Sequence, residues 1–250
     1  MIAIIVLTST TLSIMLLIIL VDQQEQRALL EYLIPSKIVP RVHRNEVVIE
    51  RYEEATVFVG QIIGFAALTG QISPIEVITL LNEIYDKFDD LVQKHKLVKV
   101  ETMGDVYVVI GGGPELNSTP EAGAEKIANF ALDVVEFVSN FKVEEGLSVF
   151  VRVGLATGHI IAGVIGSINK TFPKYSLFGD LLNWASLLQS TSKKMRIQTS
   201  ETTYHLLMQS QNYNFKCKER KDGGGVVLSD AAVPDVSTRT FWLTSVSLKN

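Results

Sequence analysis

The stretch from Lys99 to Gly113, KVETMGDVYVVIGGG, places the strongest constraint on how this chain folds. Two runs of β-branched and aromatic residues flank a Met-Gly-Asp turn, and every second residue of each run is apolar, as at Val98, Val100, Tyr107 and Val109. That period predicts two strands with one buried face. The stretch therefore predicts a β-hairpin with Asp105 exposed at its turn and able to hold a cation. A Gly-Asp pair is also common in turns that have no cation-binding role, because glycine tolerates positive φ and aspartate can form a hydrogen bond with its own backbone.

Composition excludes some classes of function. The 250 residues carry a net charge of −4 and show no basic stripe, which argues against nucleic acid as a partner. The single cysteine, Cys217, excludes an internal disulfide. The four histidines, His43, His95, His159 and His205, lack metal-ligand spacing and are interpreted as ordinary surface or core residues.

The first 21 residues, MIAIIVLTSTTLSIMLLIILV, contain no charged side chain. About 20 helical residues span a bilayer core, so residues 1–21 predict a transmembrane helix. A secretory signal peptide is the alternative, but a positive leading region and a small-residue cleavage site before Asp22 are both missing. Cations follow the segment, which predicts a single-pass membrane protein with its C-terminal bulk in the cytoplasm; they are Arg27, Lys37, Arg41 and Arg44. The pattern also fits the tail of a longer multi-span protein.

Residues 22–50 are interpreted as a cytoplasmic helical stalk. The run DQQEQRALLEYL carries a short apolar stripe at Leu29, Leu30 and Leu33, and Pro35 and Pro40 then interrupt it. Two turns of stripe are compatible with pairing to a second copy and equally with a solvated linker helix. Both interpretations remain open.

Residues 51–250 predict one globular α/β (α+β) domain. Ser73 is the expected N-cap of the first helix, with Pro74 as its first residue. The predicted elements are a strand at Thr56 to Ile63, a helix at Pro74 to His95, the hairpin, a helix at Pro120 to Asn140, and strands at Ser148 to Thr157 and Ile160 to Gly166. This order predicts a ferredoxin-like split βαββαβ fold, with helices on one face of an antiparallel sheet and the other face free for a partner or ligand.

Five motifs follow one another along this domain. They are QIIGFAAL at 61–68, SPIEVITLLNEIYDKFDDLV at 73–92, VKVETMGDVYVV at 98–109, VGLATGHIIAGVIG at 153–166 and YSLFGDLLNWASLLQST at 175–191. The succession resembles the class III nucleotide cyclases, and looks most like the catalytic domain of membrane guanylate cyclases. The resemblance runs from about Leu29 to Leu243. It implies the conversion of GTP to cyclic GMP and pyrophosphate.

The resemblance also implies a metal site. The family holds two Mg or Mn ions with two aspartates on adjacent strands, together with backbone at the position of Ile62. Asp105 matches the second aspartate, whereas Gln61 stands in place of the first. Glutamine can offer a neutral carbonyl but no charge. We therefore expect weakened metal binding at this site.

Some of the residues with which the family contacts its nucleotide have a match in this chain. Backbone at Gly64 and Phe65 is expected to approach the phosphates. Glu101 matches the guanine-reading glutamate, because a carboxylate accepts from the N1 and N2 donors of guanine. Ser176 replaces the cysteine that accompanies it in guanylate cyclases. The resemblance therefore implies GTP as the nucleotide partner.

The family places two transition-state groups on the helix after the FGD motif, and this chain has only one of them. Asn183 matches the catalytic asparagine that orients the ribose, whereas Leu187 stands where the family has an arginine that meets developing phosphate charge. A lysine loop near the C-terminus has no clear counterpart between Val226 and Leu243.

In this family each site lies between two chains, so the resemblance implies a homodimer or a heterodimer with another cyclase chain. A homodimer would combine Gln61 and Leu187 in every site. One interpretation is a membrane-anchored guanylate cyclase that is impaired as a homodimer. The other is a catalytically inactive pseudo-cyclase that acts as a dimerisation or regulatory subunit. A ferredoxin-like binding domain unrelated to nucleotides fits the strand order but not the five motifs.

Overall fold

A computed structural model of the chain describes residues 9–22, 24, 34–35, 37–44, 46–64, 70, 73–112, 119–142, 148–166, 173–221 and 239–249. The chain divides into two compact units. The first comprises Met1–Val48 and Val164–Tyr175, and the second comprises Ile49–Gly163 and Ser176–Asn250. Phe65 and the stalk stripe at Leu29, Leu30 and Leu33 lie outside the described residues.

The first unit contains the apolar N-terminal segment. Residues 9–22 are helical, and the short helix α1 covers Val39–His43. Within the described ranges, no helix is both long enough and apolar enough to cross a membrane. Residues 1–8 of the expected transmembrane helix lie outside those ranges, so the helix over residues 1–21 stays a prediction.

The second unit is built on a sheet. The elements that follow α1 along the chain are β1 (Ile49–Ile63), α2 (Pro74–His95), β2 (Val98–Met103), β3 (Val106–Gly111), α3 (Pro120–Asn140), β4 (Phe150–Ile165), β5 (Lys174–Phe178), α4 (Asp180–Thr191), β6 (Arg196–Ser200), α5 (Glu201–Gln209), β7 (Tyr213–Glu219) and β8 (Thr240–Leu248). The described strands form an eight-stranded sheet in the order β2-β3-β1-β4-β6-β8-β7, and β5 pairs with β4 beside this order. Its first four strands and two helices have the predicted split βαββαβ arrangement.

The two long helices confirm the predicted bounds. Ser73 caps α2 through a capping box, in which its side chain accepts from the Glu76 backbone N–H and its backbone N–H donates to the Glu76 carboxylate. Thr119 occupies the N-cap position of α3, and its side chain accepts a hydrogen bond from the Ala122 N–H. Proline at the first helical position supports both starts, because its fixed φ suits a helix and its missing N–H is not needed there.

The predicted hairpin is confirmed as β2 and β3, which pair antiparallel. The four predicted inward side chains are all buried. Gly104 adopts φ +60° in the turn, a conformation that glycine reaches without strain. Asp105 is half-buried rather than exposed as expected.

The prediction of two strands between Ser148 and Gly166 is wrong. Strand β4 runs without a break through Gly158 and His159. Its partner β1 takes up the irregularity instead, with a register shift between Tyr52 and Ala55. A bulge in one strand lets the facing strand stay continuous.

Each face of the sheet carries helices, which corrects the expectation of a free face. Phe58, Val153 and Leu155 pack with residues of α2 and α3 in the main apolar core. Side chains alternate along a strand, so Gly154 faces the opposite side. There α4 lies against it, because a Cβ added at Gly154 would be 2.3 Å from the Ala185 oxygen and 2.3 Å from the Gln189 nitrogen. The absence of a side chain lets α4 cover this face.

Candidate functional site

Gln61 lies where three strands meet, on the face of the sheet that α4 covers. It sits near the end of β1, with Val106 on β3 as one cross-strand partner and Arg152 on β4 as the other. Gln61 is half-buried. Two residues apart on one strand share a face, so Gln61 and Arg152 point to the same side as the Val59 and Gly154 positions.

Four polar side chains form the Gln61 cluster, which consists of Gln61, Asp105, Arg152 and Gln189. The Gln61 Nε2 donates to Asp105 Oδ2 at 3.0 Å. The Gln61 Oε1 accepts from Arg152 Nη2 at 2.6 Å and from Gln189 Nε2 at 2.9 Å. The predicted metal aspartate is therefore held by an amide N–H, and the carbonyl that we expected Gln61 to offer faces away from Asp105.

The close contact between α4 and β4 places Gln189 in this cluster. Gly154 allows the helix backbone to reach the sheet, and Gln189 is one of the residues it meets. The Gln189 side chain is 5% exposed, so its amide needs partners inside the protein. Gln61 provides one of them.

The turn that carries Asp105 is held at two further points. The Ile62 backbone N–H donates to the Asp105 backbone oxygen at 2.9 Å. The Tyr85 hydroxyl on α2 donates to the Gly104 oxygen at 2.7 Å. Burial, and then the nearby Asp105 charge, raise the pKa of Tyr85 to about 12, so the phenol stays protonated and keeps donating.

The remaining predicted site residues lie on other elements. Glu101 is half-buried on β2 and Ser176 is half-buried on β5. Asn183 is exposed on α4, with the half-buried Leu187 one turn later on the same face. Gly64 follows β1 with φ +85°, and apart from its chain neighbours no atom of the described residues lies within 4 Å of the place where a Cβ would be. Their roles stay predictions.

The side chains present do not fit the two-metal site that the family resemblance implies. Across the described ranges, no group of three or more His, Cys, Asp or Glu side chains could hold a metal ion. Mg²⁺ and Mn²⁺ prefer oxygen ligands. Here an N–H group faces the Asp105 carboxylate, and a guanidinium lies on the far side of the same amide.

Sequence reasoning did not identify Arg152, Gln189 or Tyr85. The one signal for Arg152 was its position on the strand next to Gln61, which becomes visible only when the strand register is known. Gln189 lies two residues beyond Leu187, and Tyr85 lies within a helix pattern that its apolar ring already explains. None of the three stands out by type or spacing.

The comparisons with known proteins agree with this architecture. Residues 47–243 match the model of the adenylate and guanylate cyclase catalytic domain. Retinal guanylyl cyclase 1 of Rattus norvegicus is 34% identical over 224 residues, which are 88% of this chain and 19% of that protein. The chain thus spans about a fifth of that relative's length.

Two solved structures extend the comparison. The guanylate cyclase domain of RhGC from Catenaria anguillulae, in complex with GTP, is 32% identical with a TM-score of 0.67, and the match covers 78% of this chain and 98% of that one. A non-canonical dimeric guanylyl cyclase domain of the RhoGC fusion protein from Blastocladiella emersonii is 30% identical with a TM-score of 0.64, over 79% and 99% of the two chains. This chain belongs to the adenylate and guanylate cyclase catalytic domain family.

Proposed function

We propose that the chain is a membrane-anchored guanylate-cyclase-type subunit of cyclic nucleotide signalling, and that its homodimer is severely impaired. The observation that carries the proposal is the Gln61 amide, which stands in place of the family's first metal-binding aspartate and donates to Asp105. The replacement of the transition-state arginine by Leu187 supports it independently.

The family reaction defines what impairment means. The ribose 3′-oxygen forms a bond to the α-phosphorus of GTP, the bond to the bridging oxygen breaks, and pyrophosphate leaves. Loss of one preorganised charge donor typically lowers such a rate on the order of 10²- to 10³-fold. Two losses in one site are not additive, but each acts on the same transition state.

GTP is the proposed nucleotide, with Glu101 reading the guanine edge beside Ser176. The relative from Catenaria anguillulae was solved in complex with GTP, which supports the assignment. Gly64 and Phe65 are proposed to meet the phosphates, and Asn183 to orient the ribose.

A second chain is the proposed partner. The non-canonical dimer of the relative from Blastocladiella emersonii supports the ability of this domain type to pair. In a homodimer both defects fall in each site. In a heterodimer with a complete cyclase chain, one site lacks the arginine and the other lacks an aspartate.

Membrane anchoring and a cytoplasmic domain belong to the same proposal. The described part of the N-terminal segment exposes a continuous series of large apolar side chains on a helix, from Leu16 to Val21. An exposed apolar surface of this kind favours a membrane or protein partner. The cations that follow the segment favour a cytoplasmic domain.

A pseudo-cyclase that only dimerises or regulates an active relative is the second candidate. The joint replacement at Gln61 and Leu187 favours it. Cyclic GMP formation by the full chain decides between the two, because slow turnover marks an impaired enzyme and turnover at background marks a pseudo-cyclase.

The test compares four proteins at saturating Mn²⁺: the unmodified chain, Gln61→Asp, Leu187→Arg and the double variant. We expect slow turnover, only just above background, for the unmodified chain, and Leu187→Arg alone should stay nearly as inactive. Gln61→Asp should recover metal-dependent GTP binding and add a trace of turnover. The double variant should exceed the product of the two single gains, because both groups act on one transition state.

Leu182→Arg is the matched control, because it adds the same charge to another half-buried leucine of α4. It should give no gain alone or with Gln61→Asp. Substantial activity of the unmodified chain, or full rescue by Leu187→Arg alone, would contradict the proposed impairment.

The base assignment has its own test. Glu101→Lys combined with Ser176→Asp should shift nucleotide binding from GTP towards ATP, because a lysine donor suits the N1 acceptor of adenine. Competition binding with both nucleotides measures the shift. Equal binding of ATP and GTP by the unmodified chain would refute the role of Glu101.

A further inference from the structure

The contacts of Gln61 fix the orientation of its amide. Arg152 Nη2 lies 2.6 Å from one amide atom, and a guanidinium carries only donors, so that atom is the oxygen. Asp105 Oδ2 lies 3.0 Å from the other atom, and an ionised carboxylate only accepts, so that atom is the nitrogen. The contacts at the two ends of the Gln61 amide therefore indicate the same orientation.

Gln189 strengthens this orientation. Its Nε2 donates to the same Gln61 oxygen at 2.9 Å from a side chain that is 5% exposed. Rotation of the Gln61 amide by half a turn would place N–H against N–H at Arg152 and oxygen against oxygen at Asp105. All three hydrogen bonds would be lost inside a partly buried site, where unpaired polar groups are unfavourable.

The charge of Arg152 acts in the same direction. Its guanidinium donates to the Ser190 backbone oxygen at 3.1 Å and to Gln61. Its Nε is buried without a hydrogen-bond partner among the described residues. Arg152 is therefore a fixed positive charge separated from the Asp105 carboxylate by one neutral amide, and it repels a second cation at that place.

We infer that Arg152 and Gln189 are positioning residues that hold the Gln61 N–H on Asp105, and that this half-site thereby excludes divalent cations. The inference deepens the proposed function and rests on it. A missing carboxylate alone would weaken metal binding passively. In this chain the hydrogen bonds of the Gln61 cluster also oppose metal binding actively, so removing them should restore a cation site without any new carboxylate.

The test is titration of the full chain with Mn²⁺ alone, followed by the electron paramagnetic resonance signal of free Mn²⁺. The unmodified chain should show no Mn²⁺ binding that depends on Asp105. Arg152→Met keeps the length of the side chain but removes the charge and one donor to Gln61. We expect it to raise Mn²⁺ affinity on the order of tenfold, and Asp105→Asn in the same background should abolish the gain.

Arg196→Met is the matched control. Arg196 is exposed on β6 directly opposite Arg152 in the strand pairing, so the variant removes the same charge from the neighbouring position. It should leave Mn²⁺ affinity unchanged. An equal gain in Arg196→Met would reduce the effect to net charge and overturn the inference, as would Asp105-dependent Mn²⁺ binding by the unmodified chain.

A second variant covers the case in which Arg152→Met does not fold. Gln189→Met preserves most of the buried volume and removes one of the two donors to the Gln61 oxygen. It should raise Mn²⁺ affinity by less than Arg152→Met, and no gain in a folded Gln189→Met would count against its positioning role. The titration contains no nucleotide, so failure of GTP binding leaves its outcome unaffected.

Discussion

The two faces of the sheet are stabilised in different ways. The face towards α2 and α3 is filled by aromatic and aliphatic side chains, with the Phe58 and Phe130 rings 4.8 Å apart in an edge-on contact. The face towards α4 carries the hydrogen-bonded Gln61 cluster beside a glycine contact. Apolar packing tolerates few alternatives in shape, whereas a polar cluster can change its chemistry by a single substitution. The face that departs from the family pattern is accordingly the polar one.

The largest expected effect tests the apolar face. Phe130 is fully buried, so Phe130→Ala should lower the free energy of unfolding by about 4 kcal/mol through lost burial and a residual cavity. Chemical denaturation of the full chain measures the change. Phe137 on the same helix is only partly buried, and Phe137→Ala should have a clearly smaller effect. Equal losses would mean that the α2 and α3 face is not densely packed around Phe130.

A smaller loss is expected at the contact between β4 and α4. Gly154→Ala forces a methyl group against the helix backbone and should lower the free energy of unfolding by about 3 kcal/mol. Gly158→Ala on the same strand is the matched control, because its Cβ would meet only the Leu181 side chain at an ordinary 3.5 Å. If both variants unfold at the same denaturant concentration, α4 does not rest on Gly154.

Local signals made much of the fold predictable. The start of α2 follows from Ser73, Pro74 and Glu76, which lie within four consecutive residues; Ser73 and Glu76 form the capping box, and Pro74 is the first helical residue. The hairpin follows from apolar residues at every second position on both sides of a Gly-Asp turn. The continuity of β4 did not follow, because the bulge that preserves it lies in β1, about a hundred residues earlier.

The candidate site was predictable only in part for the same reason. Gln61 and Asp105 were identified by the family resemblance, and the structure brings them into contact. Arg152 and Gln189 reach Gln61 across sequence separations of 91 and 128 residues. Contacts of that range depend on strand register and helix placement, and no spacing within the sequence encodes them.

The smallest effect concerns an electrostatic contact on the apolar side, between α2 and α3. Asp133 on α3 accepts hydrogen bonds from Lys94 and His95 on α2, each at 2.7 Å. Partial burial opposes ionisation of Asp133, but the bonds from Lys94 and His95 outweigh it and lower the pKa of Asp133 below its ordinary value. The carboxylate is therefore more favourable in the folded chain than in the unfolded one.

A depressed pKa stabilises the folded state above the ordinary aspartate pKa of about 3.9, and that stabilisation is lost as the pH falls through the lowered value. Asp133→Asn should therefore lower the free energy of unfolding by about 1 kcal/mol near pH 7. The difference from the unmodified chain should shrink towards the acid end of a pH series of denaturation curves. Asp90→Asn removes an exposed partner of Lys87 at 3.8 Å and should have little effect at any pH. If Asp133→Asn lowers the free energy of unfolding equally at every pH, Asp133 stabilises the fold through its shape and not its charge. The α2 and α3 face would then be stabilised by apolar packing alone.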